Sequence, residues 1–405
     1  MIFYNNCMSK INTKEKAVAL LFILIIFAVL IGILFHPVEI GVEFRDTYRS
    51  TALLDMSFIE RLETAINALE TSVNAGVPAR SGFIELYGLS QLAMNKNVII
   101  DPNYGALYKT PYGQIAYAVE EKYLDTHLDQ VYGLVNSLVS AKIPFLYVQA
   151  PFKLPDANSQ LPLNVTDYSN SNADLFLEKL TFANVDCFDL RPPLRNSGKT
   201  QSELFFNTDH HWTIETAFLS AGLIAEKLNN DYGFQIDASH FDINNYNVET
   251  YKDFFLGSMG RRVGRLFCGV DDFTLITPKF ETDLTFTENG AVFQRGAFAD
   301  TVLMKEFIDT KAPVDTNRYA VYRRDQAEVI FINHLVDGGK ILIIKDSFGT
   351  PVYSFLALGV HEVRALDVRL FREDVAEYAA RHRPDIVILM YNADCFTEQM
   401  FDFGS

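Results

Sequence analysis

The segment from Ala17 to Phe35 constrains this chain most, because its 19 residues carry no charged side chain. An apolar run of this length spans the hydrocarbon core of a bilayer as one helix. Lysines precede it and carboxylates follow it: Lys10, Lys14 and Lys16, then Glu39, Glu43 and Asp46. The positive-inside rule therefore predicts a cytoplasmic tail at residues 1–16, a transmembrane helix at 17–36, and an extracytoplasmic remainder in a single-pass protein of the cell membrane. A cleaved signal peptide fits less well, because the run is long and no Ala-x-Ala cleavage site follows it.

Composition narrows the remaining function classes. The chain has 35 Lys and Arg against 51 Asp and Glu, a formal charge of -16, so it repels nucleic-acid phosphates and we expect no nucleic-acid partner. Its 4 cysteines allow one disulfide with an odd thiol left over. The sequence contains no Cys-x-x-Cys pair, which argues against a zinc ribbon or a thioredoxin-type site. We expect neither a cofactor nor a metal.

The first half of the exported part reads as helices leading into a strand. Residues 37–100 form a juxtamembrane region, with a helix predicted from Ser57 to Val73 by apolar residues spaced three to four apart. A second helix is predicted from about Gly113 to Ala141. The β-rich run from Ile143 to Pro151 follows it directly. Helix followed by buried strand is typical of an α/β sheet.

The same order returns near the C-terminus. The run from Lys340 to Gly349 is typical of a central strand, and helices are predicted near Thr350 to Leu358 and Glu373 to His382. Further strands are predicted at Val363 to Arg369 and Asp385 to Asn392. Strand–helix steps in series favour a right-handed parallel sheet with helices on both faces.

These elements predict one α/β domain at residues 101–405. Between residues 231 and 336 the pattern is less regular, with short alternating runs rich in Phe, Asn, Asp and Gly. We interpret that segment as an inserted, irregular subdomain.

Two motifs carry residues suited to chemistry. Asn207 to Trp212 reads NTDHHW and precedes a helical pattern that runs through Leu228, so Thr208 or Asp209 is either a helix N-cap or part of a site. Ser347 follows an apolar strand, where α/β sheets bind ligands, although it too can be a cap.

Together the two motifs predict more than either does alone. A serine nucleophile needs a histidine base and a carboxylate that orients the base, and Asp209, a histidine and Ser347 supply these types. Spacing leaves His210 and His211 as alternative bases. Tyr391 and Asn392, at the end of the last predicted strand, are further candidates for the same crevice.

The residues TDHHW, KDSFG and LDVR resemble the DHHW family, whose C-terminal part is similar to the AlgX/AlgJ-like SGNH-hydrolase-like O-acetyltransferase domain. The resemblance covers about residues 101 to 405 and implies a three-layer, flavodoxin-like fold. It assigns Asp209 as the orienting acid, His211 as the base and Ser347 as the nucleophile, with His210 a rival base because the simpler motif has one histidine. It makes Arg369 a candidate for contacting substrate or supporting the site. His210 and Trp212 of the motif, like Tyr391 and Asn392, are further candidates for binding substrate or an oxyanion.

The element Leu256 to Gly264, LGSMGRRVG, also resembles a recurrent part of that family, without an evident role. The Gly-Asp-Ser-Leu opening of ordinary SGNH hydrolases is absent from this sequence, which leaves the residues of the oxyanion site open.

The resemblance implies transfer of an acetyl group to a cell-surface or exported polysaccharide. A membrane acyltransferase would deliver the acyl donor, because acyl-CoA is cytoplasmic. A carbohydrate acetylesterase with the same three residues is an alternative, and a non-catalytic glycan-binding or assembly factor with the same fold is another. Asp-His-His also occurs in DHH phosphoesterases, but their metal sites need additional carboxylates and no clear Asp-x-Asp element precedes the motif.

Overall fold

The computed structural model describes residues 80–404 except 102–103 and 156–159, together with isolated positions between residues 20 and 72. The chain divides into two compact units, Met1–Leu86 and Tyr87–Ser405. The transmembrane helix predicted at 17–36 and the helix predicted from Ser57 to Val73 lie largely outside the described residues. Among the positions that are described, no helix has the length and apolar composition needed to cross a bilayer.

Three β-sheets occur in the described part of the chain, of 3, 8 and 2 strands. In chain order the strands are β1 (Val98–Asp101), β2 (Gly105–Lys109), β3 (Ile115–Ala116), β4 (Phe145–Ala150), β5 (Cys187–Asp189), β6 (Tyr246–Phe255), β7 (Asp271–Pro278), β8 (Leu284–Glu288), β9 (Ala291–Gly296), β10 (Glu328–Asn333), β11 (Lys340–Lys345), β12 (Glu362–Leu366) and β13 (Ile386–Asn392). The large sheet has the order β5-β4-β13-β11-β12-β10-β8-β9.

The large sheet is mixed, so the prediction of a parallel sheet is wrong for three of its strands. Strands β5, β4, β13, β11 and β12 pair in parallel, whereas β10, β8 and β9 extend the sheet antiparallel. The three antiparallel strands come from the segment interpreted as an insertion, 231–336. Strands β8 and β9 form a hairpin through Asn289 and Gly290, which both have positive φ, and such a hairpin joins a sheet edge without a crossover helix.

The α-helices in the described part of the chain are α1 (Arg80–Ala93), α2 (Asp125–Ser140), α3 (Ser169–Phe182), α4 (Arg191–Arg195), α5 (Gln201–Leu204), α6 (Ile214–Tyr232), α7 (Gly260–Val263), α8 (Arg265–Cys268), α9 (Phe298–Thr301), α10 (Gly349–Leu356) and α11 (Val375–His382). Helices cover both faces of the large sheet. Ile343 and Ile388 belong to the core with α6 and α10, whereas Ile344 and Leu389 belong to the core with α2, α3 and α11. Because successive side chains point to opposite faces, a strand that is apolar throughout requires this three-layer arrangement.

The helix predicted from Gly113 to Ala141 is shorter in the structure. Ile115 and Ala116 form β3, which pairs with β2, and α2 begins only at Asp125. The buried Ile115 and Val119 fit the helical spacing, but they are buried in a short strand and an irregular segment. Buried apolar residues at these intervals therefore do not distinguish the two structures here.

The described cysteines, Cys187, Cys268 and Cys395, are free thiols. Strands β4, β11 and β13 end at one edge of the large sheet, because they run in parallel. The sequence motifs singled out above meet at this edge, where α/β folds bind their ligands.

Candidate active site

Ser347 lies in the turn between β11 and α10, and Asp346 holds this turn. The Asp346 Oδ1 atom accepts a hydrogen bond from the Phe348 amide at 2.8 Å. Its Oδ2 atom accepts bonds from Asn392, at 2.7 Å from the backbone amide and 2.9 Å from Nδ2. Asp346 and Asn392 are buried, whereas Ser347 is half-buried. The carboxylate therefore fixes the turn to the end of β13 and leaves the serine hydroxyl facing the crevice.

The histidine motif lies between a short β-bridge and α6. Thr213 is the N-cap of α6 and accepts a hydrogen bond from the Thr216 amide. The capping role considered for Thr208 and Asp209 therefore belongs to Thr213. Phe205 pairs with Trp212 across the loop, which turns the intervening residues toward the sheet edge.

Ser347, His211 and Asp209 form a continuous hydrogen-bonded relay. The Ser347 hydroxyl lies 2.7 Å from Nε2 of His211, and Nδ1 of His211 lies 2.5 Å from Oδ1 of Asp209. The Oδ2 atom of Asp209 accepts the Ser258 amide at 2.6 Å. With Nδ1 protonated toward the carboxylate, Nε2 is free to accept the serine proton. The arrangement has the geometry of a Ser-His-Asp acyl-transfer site.

Asp209 is buried, and its environment keeps it ionised. Burial by itself favours the neutral carboxyl, but His211 and His210, the hydrogen bond to His211 and the Ser258 amide outweigh burial. Together they hold the pKa of Asp209 well below its ordinary value of 3.8. An ionised carboxylate at this position fixes the tautomer of His211 and stabilises the imidazolium that forms when the base takes a proton.

His210 has a different partner from His211. Its Nδ1 atom lies 2.9 Å from the Ser258 hydroxyl, and its ring lies 3.8 Å from that of His211, centroid to centroid. Burial and the neighbouring His211 lower the pKa of His210. Of the two bases that the spacing left open, the structure therefore places His211 on Ser347, and His210 lies beside it as a neutral ring.

Tyr319 and Trp212 orient His211 from behind. The Tyr319 ring stacks on the His211 ring at 3.9 Å with an interplanar angle of 11°. Trp212 is fully buried, and its Nε1 atom donates to the Tyr319 hydroxyl at 3.0 Å. Trp212 is thus placed to position the base through Tyr319 and has no exposed surface for a substrate.

The LGSMG element packs directly against the acid. A Cβ atom on Gly257 would lie 2.3 Å from Cβ of Asp209, and one on Gly260 would lie 2.7 Å from Cβ of Thr208. The Gly257 amide also donates to the Thr208 hydroxyl at 2.8 Å. Glycine is required here because the two backbones approach too closely for a side chain. The sequence left the role of this element open. In the structure it holds Asp209, because Ser258, whose amide donates to Asp209, lies within it.

Two buried charged residues, which sequence reasoning missed, hold the histidine loop. Lys153 donates three hydrogen bonds to backbone carbonyls, at 2.7 Å to Ile115, 2.9 Å to Asn207 and 2.7 Å to Asp209. Asp271 accepts bonds from the amides of Asn207 and Thr208 at 2.8 and 2.7 Å. Burial lowers the pKa of Lys153 to about 7, although Asp271 opposes that change. A lysine soon after a buried strand, as here after β4 and the pair Pro151-Phe152, was the available signal.

Replacing Lys153 with methionine is expected to lower both activity and stability. Each carbonyl that loses its donor costs about 1–3 kcal/mol, so the free energy of unfolding should fall by several kcal/mol and the loop carrying Asp209 should shift. Urea unfolding and turnover of an acetyl ester measure the two effects. Lys252→Met is the control, because that lysine is exposed. Equal stability of the Lys153 variant and the wild type would contradict the role of Lys153 in holding these three carbonyls.

The other predicted site residues have internal partners. Arg369 pairs with Asp367 at 2.6 Å and Asp325 at 3.0 Å, and its side chain is 34% exposed, so part of it faces solvent. The hydroxyl of the buried Tyr391 donates to the Met400 carbonyl at 2.5 Å, inside the core with α2 and α3. Asn392 holds Asp346, as described above. Of these three residues, only Arg369 keeps surface available for a ligand.

The residues do not fit a metal site of the phosphoesterase type. Asp209, His210 and His211 each offer one ligand atom, and these atoms lie within 4.8 Å of one another. The same atoms already take part in hydrogen bonds to one another or to Ser258. The described residues add no further carboxylate to this group, and hard divalent cations need several.

Comparison with known proteins finds one family model that matches part of the chain and several solved structures with a similar fold. Residues 116–303 match the family described as SGNH hydrolase-like domain, acetyltransferase AlgX, a segment that includes Asp209 and His211 and ends before Ser347. Bacillus cereus PatB1, solved with a sulfonyl adduct, is similar at a TM-score of 0.61 and 21% identity, over 76% of this chain and 100% of that one. A DHHW family protein from Eubacterium siraeum is similar at a TM-score of 0.54 and 16% identity, over 73% of this chain and 93% of that one.

A comparison with curated protein sequences found no significant match. At these identities the similarity to solved structures shows the fold alone. The family match shows which kind of domain residues 116–303 resemble. Both agree with the resemblance noted in the sequence. Residues 116–303 are therefore similar to the SGNH hydrolase-like domain of the acetyltransferase AlgX family.

Proposed function

We propose that this chain is an O-acetyltransferase that modifies a cell-surface or exported polysaccharide through Ser347, His211 and Asp209. One observation carries the proposal: the Ser347 hydroxyl lies 2.7 Å from His211 Nε2, while Asp209 holds the other ring nitrogen. A serine becomes an effective nucleophile only with such a base within reach. The match to an acetyltransferase family supports acetyl as the transferred group.

The reaction proceeds in two balanced halves. In the first, Ser347 Oγ attacks the acetyl carbonyl of the donor while His211 Nε2 takes the serine proton, and the leaving group departs with that proton. In the second, a sugar hydroxyl attacks the acetyl-serine, and His211 takes the proton of that hydroxyl. The bond to Ser347 then breaks and the proton returns to Oγ. Asp209 remains ionised throughout, which its depressed pKa favours.

An acetylesterase uses the same residues, with water in place of the sugar. A glycan-binding factor would use the fold without the chemistry. Neither alternative accounts as well for the combination of an intact relay and a match to an acetyltransferase family. We also propose that a membrane acyltransferase brings the acyl donor across the bilayer, because acyl-CoA is made in the cytoplasm.

The apolar segment from Ala17 to Phe35 supports a membrane-anchored protein with its catalytic domain outside the cytoplasm. Protease treatment of intact cells tests this orientation. We expect digestion of the part after residue 36 and protection of a tag placed before residue 1. Protection of the whole chain would overturn the proposed location.

The activity is tested with the full chain in detergent, supplied with p-nitrophenyl acetate and either chitopentaose or water alone. We expect a sulfonyl fluoride to label Ser347 and to stop turnover, and mass spectrometry to find acetylated chitopentaose. Release of acetate without acetylated sugar would favour the esterase. Absence of both turnover and a Ser347 adduct would leave the glycan-binding alternative.

A further inference from the structure

We propose that Tyr104, Tyr117, Asp394 and His210 form the subsite that binds the accepting carbohydrate, and that this subsite takes a neutral sugar. The proposal rests on the function proposed above and names the substrate class for the same site. It goes beyond the relay, because none of these four side chains is one of its three members.

A row of rings leads away from the base. The ring of His210 lies 3.8 Å from that of His211 and 6.4 Å from that of Tyr104, centroid to centroid. The ring of Tyr117 follows at 5.3 Å from Tyr104. The Tyr117 hydroxyl donates a short hydrogen bond to Oδ2 of Asp394. One series of contacts therefore connects the catalytic histidine to a carboxyl group in the loop after β13.

A second series of contacts returns from Asp394 to the nucleophile. The Asp394 amide donates to Oδ1 of Asn392 at 2.7 Å. The Nδ2 atom of Asn392 donates to Asp346 at 2.9 Å, and Asp346 directly precedes Ser347. With the hydrogen bond from Ser347 to His211, the contacts form a closed ring that begins and ends at the serine. The four side chains of the subsite are thus held around the space beside Ser347.

The exposure of these residues shows which part of the ring faces solvent. Asp346 and Asn392 are buried and form the part of the ring that lies inside the protein. Five members are half-buried and open to solvent: Ser347, His210, Tyr104, Tyr117 and Asp394. The solvent-facing part of the ring therefore combines the nucleophile, aromatic surface and one carboxyl group.

This combination suits a sugar. A pyranose ring has apolar C–H faces that pack on aromatic rings, and its hydroxyls donate hydrogen bonds to carboxylate oxygens. Tyr117 occupies Oδ2 of Asp394, and within the described residues Oδ1 accepts no hydrogen bond. A hydroxyl bound to Oδ1 would hold the sugar ring against Tyr117 and Tyr104. The neighbouring hydroxyl would then be directed toward Ser347.

The charges favour a neutral sugar over a uronic acid. Asp394 repels a carboxylate on the sugar, and the lowered pKa of His210 keeps that ring uncharged. Arg262 lies 4.9 Å from the centre of the Tyr104 ring, but it pairs with Asp101 at 3.1 Å. Arg262 is therefore already paired with a carboxylate, and this cation offers an acidic polymer little attraction.

Binding to the full-length Ser347→Ala protein tests the subsite without any turnover. Isothermal titration with chitopentaose should give measurable binding. Adding Asp394→Asn or Tyr117→Phe should weaken this binding roughly tenfold. The first change weakens the acceptor for a sugar hydroxyl, and the second removes the hydrogen bond from Tyr117 to Asp394. Pentamannuronate, which carries carboxylates, should bind more weakly than chitopentaose at low salt.

Two control substitutions and one contrary result complete the experiment. Asp129→Asn and Tyr123→Phe change the same residue types at exposed positions of the same protein, so they should leave the affinity unchanged. Equal chitopentaose affinity with and without the Asp394 and Tyr117 substitutions would overturn the subsite, as would tighter binding of pentamannuronate. Failure of the acetyl transfer itself would instead appear in the wild-type protein as a lack of acetylated chitopentaose, whatever the binding affinities.

Discussion

Ser347→Ala should lower acetyl transfer by on the order of 10⁴-fold or more, leaving only the catalysis that binding and electrostatic stabilisation supply. The acetyl-enzyme cannot form without Oγ, because the His211 base then has no nucleophile within its 2.7 Å reach. His211→Ala should have a similar effect. The double substitution should be little worse than either single one, since the two residues act as a unit.

The measurement is single-turnover acetylation followed by mass spectrometry of the protein. Ser140→Ala is the matched control, because this serine is exposed at the end of α2, remote in sequence from both motifs. Circular dichroism should show that all variants are folded. Retention of a large part of the activity in Ser347→Ala would move the nucleophile elsewhere and remove the basis of the proposed reaction.

Asp209→Asn should lower turnover by about 10³- to 10⁴-fold while the fold is retained. An asparagine amide that donates to Nδ1 of His211 selects the tautomer with a proton on Nε2, which cannot accept the serine proton. The Asp209 carboxylate also accepts hydrogen bonds from the backbone amides of His211 and Ser258. In either orientation of the asparagine side chain, its NH2 group would face one of these two amides and leave that donor unpaired. Steady-state kinetics of an acetyl ester measures the loss, with Asp129→Asn as the control.

The same substitution has an effect on stability that depends on pH. Because the folded protein holds the pKa of Asp209 below its ordinary value of 3.8, ionised Asp209 stabilises the fold fully above that value. This contribution is lost as the pH falls from 3.8 toward the lower folded-state pKa. The wild type and the asparagine variant should therefore approach one another in unfolding free energy below about pH 4. A constant difference down to pH 2 would contradict the depressed pKa.

Local sequence alone predicted the central strands of the sheet and the three residue types of the relay. The runs that became β11 and β13 are continuously apolar from Ile341 to Ile344 and from Ile386 to Met390, which is typical of strands covered on both faces. Serine, histidine and aspartate next to predicted element ends indicated acyl transfer. The helix predicted from Gly113 was too long, because an apolar spacing of three to four also occurs where a strand and an extended segment are buried in succession.

The mixed sheet was missed although a local signal existed. Asn289-Gly290 between alternating runs is a strong hairpin sequence, and it joins β8 to β9. Which edge this hairpin extends depends on pairing with β10, which lies much further along the chain. The Asn289 amide, for example, donates to the carbonyl of Glu328, 39 residues away. Such pairing is non-local, so neither periodicity nor turn residues specify it.

The sequence by itself determined the layered α/β class, the order of its last strands and the three residue types of the relay, since each follows from local periodicity and from the chemistry of the side chains. The tertiary structure decided the choice of His211 over His210, the cap at Thr213 and the support from Lys153, Asp271 and Ser258. Apart from the cap, which is a local contact between Thr213 and Thr216, these depend on contacts between residues 38 to 136 positions apart. Hydrogen bonds at such separations form only when the chain folds back on itself, and no local pattern encodes their partners.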